Sequence, residues 1–344
     1  MLNHTTDDWS QEYEAVRWVQ LLMVLLSFLG SFSIIVCVMS QRLSRSPELQ
    51  PLLLLSVSDL LLSFCWLLGG LLLTIRCSSY NTHCQQLHTL EQVLYTSCFF
   101  FTLNCVWNIY RGIHRRLDCS TLTAPATSGR PETVTALLSC LLPVVMMSPV
   151  ISMDYAHQCL TNLTEPYRCG LLHTGAVFLA AEHSGHTVCN QLLQYRLIVL
   201  LTAFFVTLLG IMVLMGRTRH IYRRVLTSNG FLGNRQRASL RVLNLRMILY
   251  PTIFFLCWGP AVALAFLREV EPPAGQSRVR QILYMWQAVA ASSQGFLNCL
   301  VYGWTHARLR RVGRMVLSRD ADTQTPLLRA QKTRTGYGTA SLTS

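Results

Sequence analysis

The sequence predicts an all-α integral membrane protein: a bundle of seven transmembrane helices, N-terminus outside, C-terminus inside, with an amphipathic eighth helix after the last span. Three observations predict it. Of the 344 residues, 51% are hydrophobic and only 13% charged, against roughly 25% charged in an average soluble domain. The apolar residues gather in long runs, each near the ~20 residues that cross ~30 Å of hydrocarbon as helix. The basic residues occupy alternate connections between those runs, as cytoplasmic loops do.

Taken in order, residues 1–17 read as a short, polar and acidic extracellular tail without the apolar core of a cleavable signal peptide, so the first span is expected to target the chain itself. The transmembrane domain is expected over 18–304, with spans at about 18–39, 49–74, 87–114, 133–153, 192–216, 242–267 and 279–303. Helix is the only suitable conformation, because lipid offers the backbone no hydrogen-bond partner and the runs lack the alternation of a membrane barrel strand. Residues 305–317 alternate basic and apolar side chains at near-helical spacing, as an amphipathic helix lying on the membrane surface does, and the polar stretch 318–344 is expected to be a disordered cytoplasmic tail.

The net charge of +13 is almost entirely arginine, Lys332 being the one lysine. Arg42 and Arg45, then Arg111, Arg115 and Arg116, then seven arginines from Arg217 to Arg241, then Arg308 to Arg314 mark one side of the membrane. Asp7, Asp8, Glu12, Asp154, Glu165, Glu269 and Glu271 mark the other. An outside N-terminus and inside C-terminus require an odd number of crossings. Basic loops at an inner leaflet account for the charge, so nucleic acid is not an expected partner.

The sequons at Asn3 and Asn162 both fall on the outer side. Cys77, Cys84, Cys159, Cys169 and Cys189 cluster there too, in the compartment where disulfides persist. Cys84, at the outer end of the third span, is expected to pair with Cys169 or Cys159 of the long outer loop and so pin that loop over the bundle mouth. That loop also carries four histidines, but no pair has the tight ligand spacing of a zinc site, so no metal and no cofactor is expected.

Asp59 lies in the middle of an apolar span and should face a polar partner, with Asn298 of the seventh helix as the candidate. In the sixth span, Phe254, Trp258 and Pro260 combine an aromatic layer with a helix-kinking proline, and Pro251 adds a second kink. Such a helix can swing its inner half as a lever. The alternative is that the prolines are merely tolerated, as membrane helices allow.

Phe254-x-x-Cys257-Trp258-x-Pro260 resembles the sixth-helix motif of rhodopsin-like G-protein-coupled receptors, and Asn298-Cys299-Leu300-Val301-Tyr302 their seventh-helix Asn-Pro-x-x-Tyr with the proline replaced. Gly30-Ser31 and Ser56-x-x-Asp59 are similar to the same superfamily's signatures. The third helix departs, since Asn108-Ile109-Tyr110-Arg111 stands where Asp-Arg-Tyr is usual. Gln294-Gly295-Phe296-Leu297-Asn298 and Trp107 resemble instead the cyclic-AMP-receptor-like and secretin-like branches. The resemblance implies a receptor whose switch is built from Asp59, Phe254, Trp258, Pro260, Asn298 and Tyr302. It further implies a heterotrimeric G protein or arrestin at an inner face carrying Arg111, Arg115, Arg116, Arg223 and Arg224.

The short outer tail suits a small-molecule or peptide ligand entering the bundle mouth, where Glu91, Tyr95, Trp258, Tyr284 and Gln287 are the expected lining. A retinal-binding role is excluded, because a Schiff base needs a lysine in the bundle. An enzyme is not expected, the spans holding almost no histidine for a metal-dependent hydrolase. The rival readings are a small-solute transporter or channel, which should show paired broken helices or rings of like charge, and a polytopic membrane protein that does not signal. The plasma membrane is the expected location.

Overall fold

The computed structural model describes residues 3–40, 49–75, 80–118, 130–157, 187–227, 234–270, 278–308 and 310–311. Apart from turns at Leu49 and Ser293, every described residue is α-helical. The helices are α1 (Asn3–Ser40), α2 (Gln50–Ile75), α3 (Tyr80–Asp118), α4 (Arg130–His157), α5 (Thr187–Thr227), α6 (Asn234–Val270) and α7 (Arg278–Ser292), followed by α8 over residues 294–308.

The backbone passes from α7 to α8 almost without interruption. Ser293 N donates to Val289 O at 3.1 Å and to Ala290 O at 3.2 Å, and Leu297 N to Ser293 O at 3.0 Å. The hydroxyls of Ser292 and Ser293 bond Val289 O and Ala290 O three residues back, at 2.9 and 2.8 Å. Serine hydroxyls that compete for helix carbonyls loosen a helix locally, which places the irregularity immediately before Gln294.

Contacts at several levels fix the directions of the rods. Leu52 and Cys105 line one cleft while Asp59 meets Cys98, so α2 and α3 run antiparallel. Gln92 bonds Arg196, Phe99 meets Phe204 and Leu103 lies beside Gly210, so α3 and α5 run parallel. Trp258 bonds Gln294 and Arg246 bonds Thr305, so α6 opposes α8. Ser27 meets Gly295 and Cys37 meets Tyr302, so α1 is parallel to α8. The helix α3 packs against α2, α4, α5 and α6 and forms the centre of the bundle.

The distribution of side chains is inverted relative to a water-soluble domain. Leu22, Leu25, Leu29 and Phe32 on α1, Leu137, Leu138 and Leu141 on α4, and Leu209 and Met212 on α5 are exposed, whereas Asp59, Gln92, Asn104 and Asn298 are buried. An apolar outer surface around an interior that also holds charged and amide side chains is what a hydrocarbon solvent selects.

Five helices carry stretches long and apolar enough to cross a membrane: Ala15–Ser40, Gln50–Leu71, Val134–Met153, Gln194–Arg223 and Leu240–Leu267. The remaining two expected spans fall short for identifiable reasons. The helix α3 holds Gln86, His88, Glu91, Gln92, Asn104, Asn108 and Arg111, most of them covered by neighbouring helices rather than lipid. The rod from Arg278 is divided at Ser293, which leaves α7 only 15 residues.

Two expected boundaries differ. The tail expected over 1–17 is helical from Asn3 and continues into the span, as no glycine or proline interrupts the chain before Gly30. No break separates 303 from the amphipathic helix expected over 305–317. Residues 305–308 prolong α8, and Thr305 Oγ1 bonds Val301 O across the expected boundary at 2.7 Å. Of the basic residues between the fifth and sixth spans, Arg217, Arg219, Arg223 and Arg224 lie on α5 and Arg235, Arg237 and Arg241 on α6. The tail 318–344 lies outside the described residues.

Candidate functional site: a polar network at the centre of the bundle

Asp59 accepts hydrogen bonds from three side chains on two helices, α8 and α3. Asn298 Nδ2 donates to its Oδ2 at 2.8 Å, Gln294 Nε2 to its Oδ1 at 2.8 Å, and Cys98 Sγ to its Oδ1 at 3.4 Å. Gln294 in turn accepts from Trp258 Nε1 of α6. The chain Trp258, Gln294, Asp59, Asn298 and Cys98 therefore ties α6, α8, α2 and α3 together, and each member is at most 4% exposed. A carboxylate acts here purely as acceptor, which matches three converging donors.

Trp258 joins this network to an aromatic layer. Its ring lies 4.9 Å from Phe99 and 5.1 Å from Tyr95, centroid to centroid, while Phe254 meets Phe99 edge-on at 5.2 Å and stacks on Phe204 at 5.2 Å. Pro251 and Pro260, both buried in α6, cannot donate the backbone bonds that Met247 O and Leu256 O would otherwise accept. The contacts of Phe254 and Trp258 thus lie between two weak points in the hydrogen-bond ladder of α6.

At the end of the bundle near the start of α3, Glu91 Oε2 lies 3.4 Å from His88 Nδ1, one turn away. Arg196 of α5, only 2% exposed, gives Nη2 to Thr89 Oγ1 at 3.2 Å, and its carbonyl accepts from Gln92 Nε2 at 3.2 Å. Glu91, Tyr95, Trp258 and Gln287 are all buried, with Tyr95 against Trp258. The side chain of Tyr284 lies outside the described residues. The sequence reading missed Arg196, although an arginine inside an apolar run such as 192–216 is itself a signal of function.

At the opposite end, Tyr302 Oη lies 4.0 Å from Cys37 Sγ. Arg246 donates Nε to Thr305 Oγ1 at 2.9 Å, and its guanidinium sits 5.8 Å from the centre of the Tyr302 ring. Arg246, which no motif marked, thereby bridges α6 and α8. Arg111 is half-buried and Arg223 exposed, while the side chains of Arg115, Arg116 and Arg224 lie outside the described residues. So do the side chains of Asn3 and Cys84 and the whole of Cys159, Asn162 and Cys169, hence the expected disulfide and glycosylation sites. Among the described residues no group of His, Cys, Asp and Glu could hold a metal ion.

His306 stacks on Tyr302 with centroids 5.6 Å apart. Burial first, then the positive charges of Arg310 and Arg246, hold its imidazole below the usual histidine range near 6.5. The unfolded chain therefore takes up this proton first as pH falls, and stability rises with pH through that window. The melting temperature in detergent is expected to drop between about pH 7 and pH 5, and His306→Phe, which keeps the stack, should flatten the drop. An unchanged profile would assign the pH dependence to other groups.

The apolar girdle, the buried charged and amide side chains and the five membrane-length helices define an integral membrane protein of the helical-bundle class. Within that class the chain belongs to the transmembrane protein 116 family, whose sequence model matches residues 13–339, from α1 through α8 and beyond.

Proposed function

We propose that the chain is a receptor of the G-protein-coupled type. In this reading it crosses the membrane seven times with its N-terminus outside, in the plasma membrane, and relays an outer small-molecule or peptide signal to a G protein or arrestin. The observation that carries the reading is the link from Trp258 through Gln294 to Asp59 and Asn298. It joins a proline-interrupted α6 to α8 and α2, so a ligand that shifts Trp258 can change how α6 is held at its far end. Glu91, Tyr95, Tyr284 and Gln287 are the proposed pocket lining. Asn3 and Asn162 would be glycosylated, and Cys84 bridged to Cys169 or Cys159.

The basic face of Arg111, Arg115, Arg116, Arg223 and Arg224 is the proposed docking surface for an acidic partner. Neutralising Arg223 and Arg224 together to glutamine is expected to abolish G-protein or arrestin recruitment in a cellular proximity assay while leaving glycosylation of Asn162, a reporter of topology, unchanged. Unchanged recruitment would reduce these arginines to topology and lipid anchoring. Solute flux in vesicles with no recruitment in cells would replace the receptor by a transporter.

A further inference from the structure

A cleft between α2, α3 and α6 lies on the far side of the polar network from Trp258, lined in part by Leu52, Cys105, Asn108, Leu243, Arg246 and Tyr250. Among the described residues no acidic side chain lines it. Tyr250 is 4% exposed, and its hydroxyl has no hydrogen-bond partner among the described residues. A buried O–H group left without an acceptor is costly, and such exceptions call for an unseen partner. Arg246 and Cys105, both in the cleft wall, are within electrostatic reach of that hydroxyl.

The Arg246 guanidinium is held in place rather than neutralised. Its Nε is fixed on Thr305 Oγ1 and its central carbon lies over the Tyr302 ring. Arg310 adds a second positive field at Tyr302 and His306. A phenolic donor and an anchored guanidinium fork, with no carboxylate among the described residues of the cleft wall, match two oxygens of one oxyanion.

We propose that this cleft binds a phosphate oxyanion between Arg246 and Tyr250, supplied either by free phosphate or by the headgroup of an anionic lipid. Arg246 and Tyr250 lie one turn apart on α6, so the site acts on the same end of α6 that the receptor reading requires to move. Binding itself does not depend on that reading, since it requires no coupling partner.

The test uses the full chain in phosphatidylcholine nanodiscs, with thermal unfolding followed against inorganic phosphate at constant ionic strength, chloride serving as control. A second arm replaces part of the lipid with phosphatidic acid and omits phosphate. Stabilisation by a ligand that binds only the folded state grows with its concentration, so the wild type should show a saturable rise in melting temperature in at least one arm. A rise with free phosphate identifies the small ion as a source, and a rise confined to phosphatidic acid identifies the lipid. Tyr250→Phe should melt no lower than wild type without ligand, because it removes only the orphaned hydroxyl, yet lose at least tenfold in apparent phosphate or lipid affinity. Arg246→Gln should abolish the rise. No rise in either arm, a rise equalled by chloride, or a rise retained in both variants would overturn the site.

Discussion

Asp59→Ala is expected to be among the most destabilising single substitutions in the bundle, by roughly 2–6 kcal/mol, because it strands the Asn298 and Gln294 amide donors at about 1–3 kcal/mol each. Both donors now end on the carboxylate at 2.8 Å, in a site where water has no ready access. The thiol of Cys98 would lose its acceptor as well. Thermal unfolding in detergent, together with surface expression in cells, reads the loss. Asp59→Asn keeps one carbonyl acceptor but turns an N–H₂ toward one of the incoming donors, so it should cost less and act mainly on how α2, α6 and α8 are held together. In a signalling assay that variant is expected to shift the balance of active and inactive states more than it lowers expression. An alanine variant that melts with the wild type would remove the network from the account of stability.

Gly295→Ala is the second. A Cβ at Gly295 would fall against both Ser27 Oγ and Ser31 Oγ and only 2.9 Å from the backbone oxygen of Ser27. The hydroxyls can rotate away; the carbonyl cannot without moving α1. Ser27 Oγ also accepts from Gly295 N at 2.9 Å, and rotation would break that bond. Overpacking of this kind costs typically 1–3 kcal/mol, and a branched side chain at 295 should prevent α1 from docking. From the facing side, a Cβ at Gly30 would lie 3.0 Å from Phe296 Cα, so Gly30→Ala should show a similar loss. Small residues allow two membrane helices to approach until backbone meets backbone, where polar and van der Waals contacts replace the missing hydrophobic drive. Protease sensitivity of the α1 to α2 connection, measured beside the melting temperature, distinguishes a displaced α1 from general unfolding.

These two sites show where the sequence was readable and where it was not. Asp59 stood out as one carboxylate in an apolar run, and Asn298 as its candidate partner, because an intramembrane charge must find a polar neighbour. Gln294, four residues before Asn298, takes as short a bond to the same carboxylate, yet it was noted only as part of a motif. Arg196 and Arg246 each lie inside an expected apolar span, 192–216 and 242–267, and belong to no motif that marks them. Glu91, an expected lining residue of the pocket, also lies 3.4 Å from His88 on its own helix. Local i to i+3 spacing could have found that pair.

The sequence by itself determined the all-helical, membrane-embedded architecture, because backbone satisfaction in hydrocarbon and the length of an apolar run depend only on local composition. It determined that α6 would be interrupted twice, since proline lacks its N–H wherever it sits. The tertiary structure decided which polar groups meet. Asp59 and Gln294 are 235 residues apart in the chain, and their contact depends on the rotation and depth of four helices about one another. Those are fixed by close packing at Gly30 and Gly295, by the loosened turn at Ser293 and by the aromatic layer around Trp258, none of which acts until the helices have assembled.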